Sequence, residues 1–103
     1  MTLTEIQTLL VTADTGIKHY FSAGTGEAYS YWEEGRRLPM MADDKHQEAW
    51  RFYVHRFTRT ASDATATALF NALDGDDRVA VKWIVDTEND TGYIHHIFEC
   101  EGY

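Results

Sequence analysis

The sequence is poor in cysteine: Cys100 is the only one among 103 residues. One thiol cannot form an internal disulfide, and a metal site built from several cysteines is also excluded. This usage fits a reducing compartment.

Basic residues are also scarce, since 9 lysines and arginines stand against 17 aspartates and glutamates. The formal net charge is −8 with neutral histidines. Tight binding to phosphate backbones demands a basic face, so sequence-specific or general nucleic-acid binding is not expected. An anionic membrane surface would repel the same charge.

Long apolar runs are absent as well, because no stretch approaches the roughly 18 residues of a membrane-spanning helix. The first residues, Met1 to Glu5, lack the basic start and apolar segment of a secretory signal peptide. We therefore expect the protein to be made and folded in the cytoplasm.

The residues that are present predict one α+β domain over residues 1–103. A first helix begins with a capping box of Thr2 and Glu5 and stops by Gly16. A second helix has Ser62 as its predicted N-cap and Gly75 at its end. Residues 17–27 are predicted to be a loop from which Ile17, Tyr20 and Phe21 pack into the core. The short glycine-rich run within that loop, residues 24–26, is only a weak phosphate-binding signal.

Four strands are predicted from alternating side chains, beginning near residues 28, 48, 79 and 93. The strand over 48–60 carries bulky side chains on both faces, which favours a central place in the sheet. Residues 88–92 form a predicted hairpin turn. The element order is helix, strand, strand, helix, strand, strand, with a mostly antiparallel four-stranded sheet and both helices packed on one face.

A long insert at about residues 35–47 separates the first two predicted strands. It mixes charges with Leu38, Met40 and Met41, and connections of this length are unusual in a compact domain unless they serve a function. The insert either covers the core or forms a contact arm, and the residues alone favour neither.

No arrangement in the sequence predicts catalysis, a cofactor or a metal. His95 and His96 are adjacent, so on a strand they point to opposite faces and cannot share one ion. Cys100 shares a face with apolar residues at a strand end, which is typical of a core thiol. We therefore expect a protein that is not an enzyme.

Three segments carry a resemblance to a known family: residues 49–54 (AWRFYV), residues 68–73 (ALFNAL) and the closing run 90–101 (DTGYIHHIFECE). They resemble the tail-terminator or tail-to-head joining proteins, minor tail or capsid components of long-tailed phages and of prophages in Gram-positive bacteria. The resemblance implies an α+β subunit whose copies form a ring, typically a hexamer, at the head-proximal end of the tail tube. Such a ring stops tube growth, contacts the tail tube and the head connector, and lets DNA pass without specific binding. It would be found in the host cytoplasm during assembly and then in the neck or tail of the virion.

On this hypothesis the insert and its flanks supply the subunit contacts, because methionine adapts to irregular apolar surfaces and basic residues can pair with an acidic neighbour. The candidate interface residues are Trp32, Arg36, Arg37, Leu38, Met40, Met41 and Lys45. Asp43 and Asp44 are the candidates for charge that faces the lumen. Two alternatives stay open: a head-closure or minor capsid component, and an acidic regulatory binding module or DNA mimic.

Overall fold

A computed structural model of the protein describes residues 1–21, 28–39 and 48–103. Its strands form a five-stranded sheet in the order β1-β2-β3-β5-β4. Every neighbouring pair is antiparallel except β1 and β2, which are parallel. The elements in chain order are α1 (Leu3–Ala13), β1 (Lys18–His19), β2 (Tyr29–Arg37), β3 (Trp50–Thr58), α2 (Ala64–Asp74), β4 (Val79–Thr87) and β5 (Ile94–Gly102).

The predicted α+β class and the order of the main elements are confirmed, but the described part of the chain contributes five strands to the sheet instead of four. The extra strand, β1, lies within the segment that was predicted to be a loop. Two residues are too few for an alternating pattern to show in a sequence. The strand exists because it pairs with Tyr31 and Trp32 of β2, and the Tyr20 N–H continues the pairing by donating to the Trp32 carbonyl.

Both helices begin with side-chain caps, which satisfy amide groups that have no partner inside a helix. The predicted capping box of α1 is present: the Thr2 hydroxyl accepts from the Glu5 amide, and the Glu5 carboxylate accepts from the Thr2 amide. In α2 the N-cap is Asp63 instead of the predicted Ser62, because the Asp63 carboxylate accepts from the Ala66 amide. Gly75 ends α2 as predicted.

The core lies between the two helices and one face of the sheet, and β3 is central as predicted. We call this side of the sheet the helix face and the opposite side the open face. Fully buried side chains from α1, β2, β3, α2 and β5 meet in this layer: Ile6, Leu10, Trp32, Phe52, Val54, Leu69, Leu73 and Phe98.

The prediction that the 17–27 segment packs inward is correct for one residue only. Ile17 is buried, whereas the side chains of Tyr20 and Phe21 are 53% and 70% exposed. The Tyr20 ring stacks on His19 at the rim of the sheet, with its hydroxyl hydrogen-bonded to Glu34. Because those contacts hold the ring outside the core, the inward placement was wrong.

The predicted insert begins later than residue 35, since β2 continues to Arg37, which pairs with Trp50. Gly35 lies in a register shift of this ladder, where an added Cβ would press against the Tyr53 ring and the Arg51 carbonyl of β3. Beyond the strand, the Leu38 amide donates to the Ala49 carbonyl at 2.7 Å. Residues 40–47 lie outside the described residues, so the choice between a contact arm and a core cover stays open.

Candidate functional site

Six rings gather on the open face, which neither of the two described helices covers. Tyr29 and Tyr31 come from β2, His55 and Phe57 from β3, and His95 from β5. The sixth ring is that of Tyr93, which directly precedes β5. Alternation places them together, because every second residue of a strand points to the same face. We call this group the aromatic–histidine cluster; its members are Tyr29, Tyr31, His55, Phe57, Tyr93 and His95.

Phe57 is the centre of this cluster. The rings of Tyr29 and His95 stack on it with centroids 4.8 and 4.1 Å away, and Tyr93 meets it edge-on at 5.9 Å. These neighbours leave Phe57 only 6% exposed. The open face therefore carries a second, smaller apolar layer that its own side chains shield from water.

A line of polar contacts crosses the same cluster, from Glu33 through His55 and His95 toward Glu88. The Glu33 carboxylate accepts from His55 Nε2 at 2.9 Å, and His55 Nδ1 lies 2.8 Å from His95 Nε2. His95 Nδ1 is 3.8 Å from a Glu88 oxygen. Only one proton can occupy the space between the two facing nitrogens, so one ring donates and the other accepts.

Burial lowers the pKa of His95, and repulsion from His55 adds to this effect against the attraction of Glu88 and Asp86. Protonating both rings would turn two N–H groups toward each other across the 2.8 Å contact. The geometry of this contact therefore disfavours two charged histidines in the cluster.

His96 points to the helix face, which confirms that the two adjacent histidines lie on opposite sides of the sheet. Trp83 Nε1 donates to His96 Nδ1 at 3.1 Å, and an indole can only donate. The neutral ring therefore carries its proton on Nε2, which is buried without a hydrogen-bond partner within the described ranges. Burial lowers the pKa of His96, with Arg56 acting in the same direction and Asp63 opposing it.

These two histidines predict that the protein loses stability in mild acid. Because the pKa of each is lowered on folding, the unfolded chain binds more protons below about pH 6.5. We expect the free energy of unfolding to fall as the pH decreases below about 6.5, by at most about 1.4 kcal/mol per pH unit for each histidine. Urea titrations at several pH values measure this, and the double variant His95→Gln/His96→Gln should have a flatter profile. An equal slope in both proteins would contradict the assignment.

The residues predicted for a subunit interface lie in different environments. Trp32 has no accessible surface in the subunit and Leu38 is nearly buried, so neither presents a side chain to a neighbour. Arg36 and Arg37 are exposed at the end of β2. Met40, Met41 and Lys45 of this set lie outside the described residues, as do Asp43 and Asp44, the candidates for charge that faces the lumen. An interface role for the other members of the set stays a prediction.

The predicted core position of Cys100 is confirmed, since the thiol is 2% exposed and its Sγ contacts the Phe98 carbonyl. Burial raises the pKa of this thiol far above its ordinary value, so little thiolate forms near neutral pH. Across residues 1–21, 28–39 and 48–103, no group of three or more potential ligands could hold a metal ion. In the same residues, no helix has the length and apolar content to span a membrane.

The sequence pattern showed that His55 and Phe57 share one face of a strand, but it did not reveal the pairing of His55 with His95. Their contact depends on β3 lying beside β5, with Phe57 opposite His95. Alternation within one strand cannot reveal which strand will be its neighbour. The sequence showed only that β3 and β5 are both rich in aromatic and histidine rings.

The fold has a counterpart among solved structures. One chain of the "Virion of native gene transfer agent (GTA) particle" is similar to 90% of this chain, and the match covers 81% of that chain. The TM-score is 0.53 at 17% sequence identity, a level at which the likeness concerns the fold. No protein-family model and no curated protein matches the chain. The protein therefore shares its fold with a component of a virion particle.

Proposed function

We propose that this chain is a structural virion subunit without catalytic activity, which ends the tail tube as a tail terminator and joins it to the head. One observation carries the virion role: the fold is similar over 90% of the chain to a component of a gene transfer agent virion. The finer role rests on the resemblance of residues 49–54, 68–73 and 90–101 to tail-terminator proteins. The chain would act as one subunit of a ring.

The charge of the protein supports this role. A net charge of −8 repels phosphate groups, so a ring of such subunits would let DNA slide through without binding it. Arg36 and Arg37 are exposed at one end of the sheet, where they could pair with acidic residues of a neighbouring subunit and fix its orientation.

Quantitative mass spectrometry of purified particles tests the virion role. Prophage induction in the source strain should yield particles that contain a few copies of this chain each. Abundant soluble protein that is absent from intact particles would contradict the virion role. The acidic binding module would then be favoured, and tight binding to a basic host protein would be its signature.

Electron microscopy of particles from a deletion strain tests the finer role. Loss of a tail terminator should give tails longer than normal that carry no heads, and the wild-type gene supplied in trans should restore joined particles. Tails of normal length beside unjoined heads would reject the terminator role and support the head-closure alternative.

A further inference from the structure

Strand β4 forms one end of the described sheet and pairs on one side only, with β5. Its ladder with β5 is regular over all nine residues, without a bulge. A long, regular edge strand offers unpaired backbone groups to another strand, and proteins usually protect such edges. The Val85 side chain on this strand is 55% exposed. The outer side of β4 can therefore form a backbone ladder with another strand.

The sequence of β4 is self-complementary about Ile84. Lys82 and Asp86 lie two residues before and after it, and Trp83 and Val85 lie one residue before and after it. If two copies of β4 pair antiparallel with Ile84 opposite Ile84, Lys82 faces Asp86 of the other copy twice. Trp83 then faces Val85, also twice.

Strand geometry permits this register. In an antiparallel pair, directly opposed residues must both turn their backbone groups toward the partner strand or both away from it. Two residues of β4 meet that condition when they are an even number of positions apart. Lys82 and Asp86 are four positions apart, so they meet it. The opposed side chains also share a face: the charged pairs and Ile84 lie on the open face, whereas Trp83 and Val85 lie on the helix face.

We propose that β4 is the docking site for a second copy of this chain, paired antiparallel about a two-fold axis at Ile84. The two sheets then become one continuous sheet. This pairing goes beyond the proposed virion role and does not depend on it, because it concerns the free protein in solution.

Two observations favour a second copy as the occupant. The first is charge complementarity. Lys82 and Asp86 are exposed, and although they face Glu99 and His95 on β5, no ion pair within residues 1–21, 28–39 and 48–103 uses either of them. The second is the exposed Val85, which the pairing would cover with the Trp83 of the other copy. Opposite charges and aromatic–aliphatic pairs directly across two strands stabilise their pairing.

Charge reversal tests the register. Size-exclusion chromatography with light scattering should give a mass twice the 11.8 kDa of one chain for the wild type. Lys82→Asp and Asp86→Lys each create two like-charge contacts, so each should weaken the dimer by roughly tenfold or more. The double variant restores opposite charges and should dimerise like the wild type. Lys18→Asp makes the same charge change as Lys82→Asp, but on β1 at the other edge of the sheet, so it should not alter the mass.

A chemical cross-link supplies an independent measurement. Ile84→Cys places two thiols across the proposed axis, so a short bismaleimide should convert the protein to a covalent dimer. Lys18→Cys should not react in this way, and the buried Cys100 provides a low background.

Three results would overturn the proposal: a wild-type monomer at about 100 μM, single reversals that leave the mass unchanged, or a double variant that stays monomeric with the circular dichroism of the folded protein. Each concerns the free protein only. Failure of the virion role would instead be seen in particle composition, so the two outcomes are separable.

Discussion

Replacing Trp32 by alanine is expected to lower the free energy of unfolding by about 3–5 kcal/mol. Trp32 is completely buried between the helices and the sheet. Its ring stacks on His19 with centroids 3.9 Å apart and meets Phe52 edge-on at 6.2 Å. Its indole N–H donates to the Gln7 side chain, so truncation would also leave that acceptor without its partner. Small domains are stable by only about 5–15 kcal/mol, so this loss would be a large part of the total.

Urea unfolding followed by circular dichroism measures this effect. Phe21→Ala is the matched control, because it removes another aromatic ring that is 70% exposed and should cost no more than about 1 kcal/mol. A loss below 1 kcal/mol for Trp32→Ala would contradict its core position and favour the interface role predicted from the sequence.

Removing the guanidinium of Arg56 is expected to destabilise the protein by about 3–5 kcal/mol, because it leaves a mostly buried carboxylate unpaired. Arg56 donates from Nε and Nη2 to the two oxygens of Asp63 at 2.9 and 3.3 Å, and from Nη1 to Ser30 at 3.1 Å. The side chains of Arg56 and Asp63 are 12% and 15% exposed. Burial of Asp63 opposes ionisation, but the hydrogen bonds from Arg56 and the Ala66 amide lower its pKa overall.

The same strand provides a control for this prediction. Arg51 also pairs with a carboxylate, that of Glu101 at 2.8 Å, but its side chain is 45% exposed. Because exposed ion pairs contribute little, Arg51→Ala should cost at most about 1 kcal/mol. Urea unfolding of both variants makes the comparison. Equal losses would show that the Arg56–Asp63 pair does not hold α2 against the sheet.

Features that depend on residues close together in the chain were the ones that the sequence predicted most accurately. The capping box of Thr2 and Glu5 needs only a spacing of three residues. The central place of β3 follows from bulky side chains on both of its faces. The hairpin turn between β4 and β5 follows from a run of turn residues at 88–92, among which Gly92 has a positive φ of 74°. Each is a local pattern with a single physical interpretation.

Features that depend on distant residues could not be predicted. Strand β2 carries aromatic rings on both faces, so alternation alone did not show that Trp32 faces the helices. The pairing of Arg56 with Asp63 depends on where α2 begins, and the predicted N-cap lay one residue too early. The contact between His55 and His95 depends on the adjacency of β3 and β5. In each case the missing information was the position of a second element.

The adjacency of β3 and β5 also has a consequence for how the chain folds. Their ladder runs from Trp50 opposite Gly102 to Thr58 opposite Ile94, so it closes a loop that contains α2 and all of β4. Closing that loop costs chain entropy before the ladder can form, whereas the β4–β5 hairpin closes through a short turn. We expect the hairpin and α2 to become ordered first, with β3 joining later and setting the folding rate.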